Sequence, residues 1–209
     1  MSLRLPTFFL ALLCMTGSAA LPTAAASVAR TYSYFAVGGS TLPELQEELS
    51  IRGPAVKSTG RRHPGATEME FSNRISYQEA GGRCRVSKAT VSVKARITLP
   101  RWTRPGSAAQ DTRLIWDALA GDIKRHEESH VSIATNHARE MEQAVLALPP
   151  QKSCDIATSK AQDAIQRILA KHDAAQNRFD DIERINFTNR MDRLIRYRIQ
   201  QIESGRIRG

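Results

Sequence analysis

Two stretches in the first half of the chain alternate apolar and polar residues, and the second half changes to a helical period. In residues 66–78, Met69, Phe71, Ile75 and Tyr77 fall on one face and Glu68, Glu70, Ser72, Arg74 and Ser76 on the other, the period of two expected of a half-buried strand. In residues 84–100, Ala89, Val91, Val93, Ala95, Ile97 and Leu99 alternate with Thr90, Ser92, Lys94, Arg96 and Thr98. Gly81-Gly82 between the two runs supplies a turn, so the pair predicts an antiparallel hairpin with one wet face. Upstream, residues 31–39 alternate aromatic and small side chains and end on two glycines, which predicts a further strand. A short helix follows: Thr41 can cap it, Glu44 completes a capping box, and Leu42, Leu45 and Leu49 share one face. Residues 52–66 hold Gly, Pro and basic residues without periodicity and predict a loop.

From about residue 111, Leu114, Leu119, Ile123, Ile133 and Met141 recur at three-to-four-residue spacing, and the run stops at Pro149-Pro150. A second helix is predicted over residues 155–204, with Ile156, Ala164, Ile168, Phe179, Ile182, Leu194, Ile195 and Ile199 as its apolar stripe and Asn186 as a candidate break. The expected fold is therefore α+β, an antiparallel β-hairpin or sheet packed on two long helices.

The chain begins differently. A basic start, the short apolar run TFFLALLCM and the small-residue stretch GSAALPTAAAS have the order of a secretory signal peptide over residues 1–26. Cleavage is expected after Ala26 or after Ala20. The apolar run is too short to span a bilayer, and no later segment is a transmembrane candidate. Residues 27–209 are then expected to form a single domain, periplasmic or secreted. Export changes the meaning of the three cysteines: Cys14 leaves with the leader, and Cys84 and Cys154 are expected to form a disulfide.

The formal net charge of +9 suits anionic envelope polymers or acidic partners. Nucleic acid is not expected outside the cytoplasm. The C-terminal arginines are interleaved with Glu183, Asp192 and Glu203, which predicts a solvated helix face.

Within the first long helix, residues 126–130 read HEESH. On a helix, positions i and i+4 stack on one face, so His126 and His130 can offer their rings to one ion. Two neutral imidazoles suit zinc, Zn2+, which needs a third protein ligand and keeps a position open for water. Glu127 lies about 100° round the helix from His126 and is placed to act as general base on a zinc-activated water. The third ligand is less direct. A metzincin pattern needs Gly and His where Ile133 and Asn136 stand, and a thermolysin-like spacing falls on Pro149 and Pro150. His137 lies about 10 Å along the helix from His130, too far to share the ion. The second helix offers His172, Asp180 and Glu183, of which Glu183 is favoured. Tyr32, Tyr34, Tyr77 and His137 are candidates for stabilising an oxyanion.

Taken in order, YFAVGGSTLPELQEELSIRGP, CRVSKATVSVKARITLPRW, HEESH, ALPPQKSC and QNRFDDIE give a chain that resembles a bacterial family of predicted secreted zinc-dependent proteases, a domain of unknown function with a HExxH motif. The resemblance implies a zincin-like domain and metallopeptidase activity on protein or peptide substrates. The family pattern carries Tyr-Asp-x-x-Thr-x-His-Gly late in the chain. Here Phe179 and Asp180 match Tyr-Asp, Glu183 stands at Thr, and Ile185 and Asn186 replace His-Gly. The alternative expectation is a non-catalytic exported envelope-binding protein with a structural or vestigial metal site.

Overall fold

A computed structural model describes residues 27–56 and 60–207. The expected leader, with Cys14 and both cleavage positions, lies outside the described residues.

The element order is β1 (Ser27–Val37), α1 (Leu42–Arg52), β2 (Ala55–Val56), β3 (Arg61–Arg62), β4 (Ala66–Ala80), β5 (Arg83–Trp102), a 3-10 turn (Pro105–Ser107), α2 (Gln110–Leu146) and α3 (Cys154–Glu203). The fold is α+β. Helix α1 starts on the expected capping box: the Thr41 side chain accepts from the Glu44 N–H, and the Glu44 carboxylate accepts from the Thr41 N–H at 3.3 Å. The segment expected to be loop contains the two-residue strands β2 and β3, paired antiparallel.

Gly81 and Gly82 both take positive φ (58° and 67°), the backbone that a two-residue hairpin turn requires. They join β4 to β5 in antiparallel register. The sheet is nevertheless mixed, not antiparallel: its order is β1-β5-β4, and β1 runs parallel to β5 from Ser27↔Ser92 to Val37↔Trp102. The cause is the connection. The chain leaves β1 through α1 and returns along β4, so β5 runs in the direction of β1. Period-two alternation carries no information on strand direction.

A register shift at Ser76/Tyr77 pairs Ser76 with Lys88 but Tyr77 with Val86, so Ser87 is an extra residue. Odd-numbered residues face the core on one side of this bulge and even-numbered ones on the other; Ala89, Val91, Val93, Ala95, Ile97 and Leu99 are buried, and so is Cys84. Strict alternation would have turned Cys84 outward. Cys84 is instead bonded to Cys154 at the start of α3, with Cα atoms 5.0 Å apart. Backbone hydrogen bonds between Cys84 and Gln151 hold the α2–α3 connection beside the strand.

Helices α2 and α3 lie antiparallel on one face of the sheet. Lys171 pairs with Glu140, Gln176 with His130, Arg190 with Asp122 and Arg198 with Asp117, so positions rise on one helix as they fall on the other. Buried alanines Ala134, Ala138, Ala161 and Ala164 share a core with Val91 and Val93 of β5; their small side chains let the layers approach closely. Helix α3 continues through Asn186 without the break that its sequence allowed. Among the described residues no helix is long and apolar enough to cross a membrane.

Candidate metal centre

Three consecutive residues of α2 face three directions. His126 and His130 face α3, Glu127 faces β4, and Glu128 accepts from the Tyr32 hydroxyl of β1 at 2.8 Å. The 100° step per residue accounts for this fan.

Between α2 and α3, His126 Nε2 lies 3.1 Å from His130 Nε2. Asp180 Oδ1 is 3.3 Å from the first and 3.1 Å from the second. Among the described residues, these three form the cluster able to share one metal ion. A tetrahedral zinc with ligands at about 2.0–2.1 Å needs its ligand atoms about 3.3–3.4 Å apart, so the spacing suits such an ion. Phe179 walls the cluster, stacked on His126 (centroids 5.0 Å, 28°) and edge-on to His130 (5.2 Å, 85°).

Gln176 decides which nitrogen His130 offers. Its Nε2 donates to the His130 backbone carbonyl at 3.1 Å, which orients the amide and leaves Oε1 2.6 Å from His130 Nδ1. An amide oxygen only accepts, so Nδ1 carries the hydrogen and Nε2 presents its lone pair to Asp180 and His126. The same amide donates to His172 Nε2 at 2.8 Å, and His172 Nδ1 donates to Asp173 at 3.0 Å. A lone pair facing a carboxylate oxygen at 3.1 Å calls for a cation, proton or metal, in the gap. The electrostatics agree. Burial opposes charge on His130, but Asp180 and Gln176 outweigh it and raise its pKa. Burial likewise pushes the Asp180 carboxyl up, yet His126 and His130, in the protonated form in which they donate to it, hold it far below the usual carboxylate range.

The structure brings Asp180, not the favoured Glu183, to the two Nε2 atoms. Glu183 lies about 4.5 Å further along α3. Its Oε2 is 3.6 Å from His126 Nδ1, the ring nitrogen turned away from Asp180, and it is held by Arg125 and Arg190. Ile185, two residues further on, is 71% exposed. His172 is buried one turn beyond Gln176, edge-on to Phe71. His137 hydrogen-bonds through Nδ1 to the Ile133 carbonyl at 2.8 Å, and Tyr34 lies beneath Arg101.

Glu127 is 5% exposed. Burial pushes its pKa up, against the opposing hydrogen bond from the Thr67 hydroxyl to Oε2 at 2.8 Å. On its other side a Cβ at Gly65 would come within 2.8 Å of Oε1, so glycine there keeps the carboxylate uncrowded.

Residues 32–187 match the family described as "Bacterial protein of unknown function (DUF922)". The chain belongs to that family. No curated protein and no solved structure matches it. The DUF922 match takes in the whole cluster, with Glu127, Gln176 and the disulfide. Gln176 and Phe179 stand four and seven residues after His172, on one helical face with it and Glu183. Their roles are not legible from that spacing, because they depend on which face of α3 meets α2.

Proposed function

We propose that this chain is an exported zinc-dependent metallopeptidase with a zincin-like arrangement, the HExxH helix α2 lying against a sheet whose edge strand β4 borders the general base. The observation that carries this reading is the convergence of His126 Nε2, His130 Nε2 and Asp180 Oδ1 at 3.1–3.3 Å. His126, His130 and Asp180 would hold the ion, with Glu183 beside the far nitrogen of His126. A zinc ion bound there would polarise a peptide carbonyl and make water more acidic. Glu127 takes the proton from the attacking water and returns it to the leaving amine. Burial raises its pKa, which makes it a stronger base towards that water. Thr67 fixes one carboxylate oxygen and leaves the other to handle the proton. Phe179 packs against both rings.

The test is metal analysis of the purified protein together with hydrolysis of an unfolded protein substrate. One zinc per chain is expected in wild type and in Glu127→Gln, with hydrolysis reduced about 10²–10⁴-fold in the variant. A wild-type chain that takes up no zinc, or a variant that hydrolyses as well as wild type, removes this reading. The exported binding protein would then remain.

A further inference from the structure

Glu142 of α2 is 1% exposed and belongs to no part of the metal cluster. Its Oε1 accepts from the Val91 N–H of β5 at 2.7 Å. Its Oε2 is the buried side-chain oxygen that meets no donor among the described residues. The neighbouring Ala138, Met141 and Val145 belong to the apolar core. A carboxylate held there with one bare oxygen is strongly unfavourable without a cationic or protonic partner.

The sheet register points to the partner. On one side, β5 pairs with β4 straight through Val91 (Asn73↔Val91); on the other, pairing with β1 begins one residue later, at Ser27↔Ser92. The Val91 N–H therefore lies just past the start of β1, and Glu142 supplies the acceptor that a longer β1 would have provided. The same register sets the Ser27 backbone nitrogen beside Val91, about 3.3 Å of strand rise from the group Glu142 holds. The Ser27 side chain is occupied elsewhere, at 2.7 Å from Ser92 Oγ. Immediately before Ser27 stands Ala24-Ala25-Ala26, the small-residue pattern a signal peptidase cuts.

We infer that the leader is removed after Ala26, not after Ala20, and that the new α-ammonium of Ser27 pairs with Glu142 and locks β1 onto β5. Hydrolysis of the Ala26–Ser27 peptide bond consumes one water. It leaves a carboxylate on Ala26 and an amine on Ser27, which takes up a proton at neutral pH; no redox partner is involved. Cleavage after Ala20 would leave six residues ahead of Ser27 and carry the charge away from Glu142. The pairing is independent of the zinc reading.

The experiment has two parts. The protein exported with its own leader is read by intact mass and N-terminal sequencing: Ser27 as first residue is expected, and Leu21 overturns the inference. Chains beginning at Ser27 and at Ala24, freed from a fusion that leaves no residue behind, are then melted with and without Glu142→Gln. The extension is expected to lower Tm by about 5 °C in the wild-type background and to leave Glu142→Gln unchanged. Equal losses in both backgrounds, or none in either, overturn the ion pair. Should Glu142→Gln not fold, carbamylation of the α-amine in the two wild-type chains decides. Slower reaction in the folded Ser27 chain supports the pairing, and equal rates overturn it.

Discussion

Single atoms decide the chemistry of the α2–α3 interface. His130 can present Nε2 as a lone pair because Gln176 Oε1 holds the Nδ1 hydrogen at 2.6 Å, and Gln176 is itself oriented by the His130 carbonyl. Asp180 closes the triangle with the two imidazoles. On the proposed reading, Gln176→Leu should weaken zinc binding about 10–100-fold by chelator competition, because an unanchored ring samples the wrong tautomer and orientation. Asp180→Ala should weaken it further, and Glu183→Gln less than either. A Glu183→Gln loss exceeding that of Asp180→Ala would restore Glu183 as the third ligand.

At the scale of elements, the site depends on α3 holding a fixed rotation against α2. Asp122, 5% exposed, accepts from Arg190 through Nε at 2.8 Å and Nη2 at 3.1 Å, and from Arg125 Nε at 3.0 Å. Arg190 also reaches Glu183. These pairs tie the two helices together next to His126. Arg190→Met should cost about 2–3 kcal/mol in urea unfolding, less than a fully orphaned buried charge because Arg125 stays with Asp122. A change below about 0.5 kcal/mol would mean that alanine packing alone sets the helix rotation.

For the whole molecule, the Cys84–Cys154 bond ties the central strand to the start of α3 across a sequence separation of 70. Closing such a loop is worth about 4 kcal/mol in the chain-entropy model. The double substitution Cys84→Ser, Cys154→Ser should therefore lower Tm by about 10 °C, and a loss under about 2 °C would show that the core holds the layers without it. The same bond holds the start of α3 against β5.

What the sequence determined by itself is what a single element can encode. Alternation over residues 66–100 and the Gly81-Gly82 turn specify a hairpin, since strand period and turn chemistry are local. The capping box at Thr41 and Glu44 is equally local. The i, i+1, i+4 spacing of His126, Glu127 and His130 places rings and carboxylate by helix geometry alone. Tertiary structure decided what depends on how elements meet. The parallel direction of β1 follows from the path of the chain. The inward turn of Cys84 follows from the bulge at Ser87, which no residue pattern announces. The placing of Asp180, rather than Glu183, at the two Nε2 atoms follows from the rotation of α3. Two carboxylates three residues apart are both near one helix face in sequence, and only the packed position of α2 determines which of them meets the two Nε2 atoms and which meets the arginines and the far nitrogen of His126.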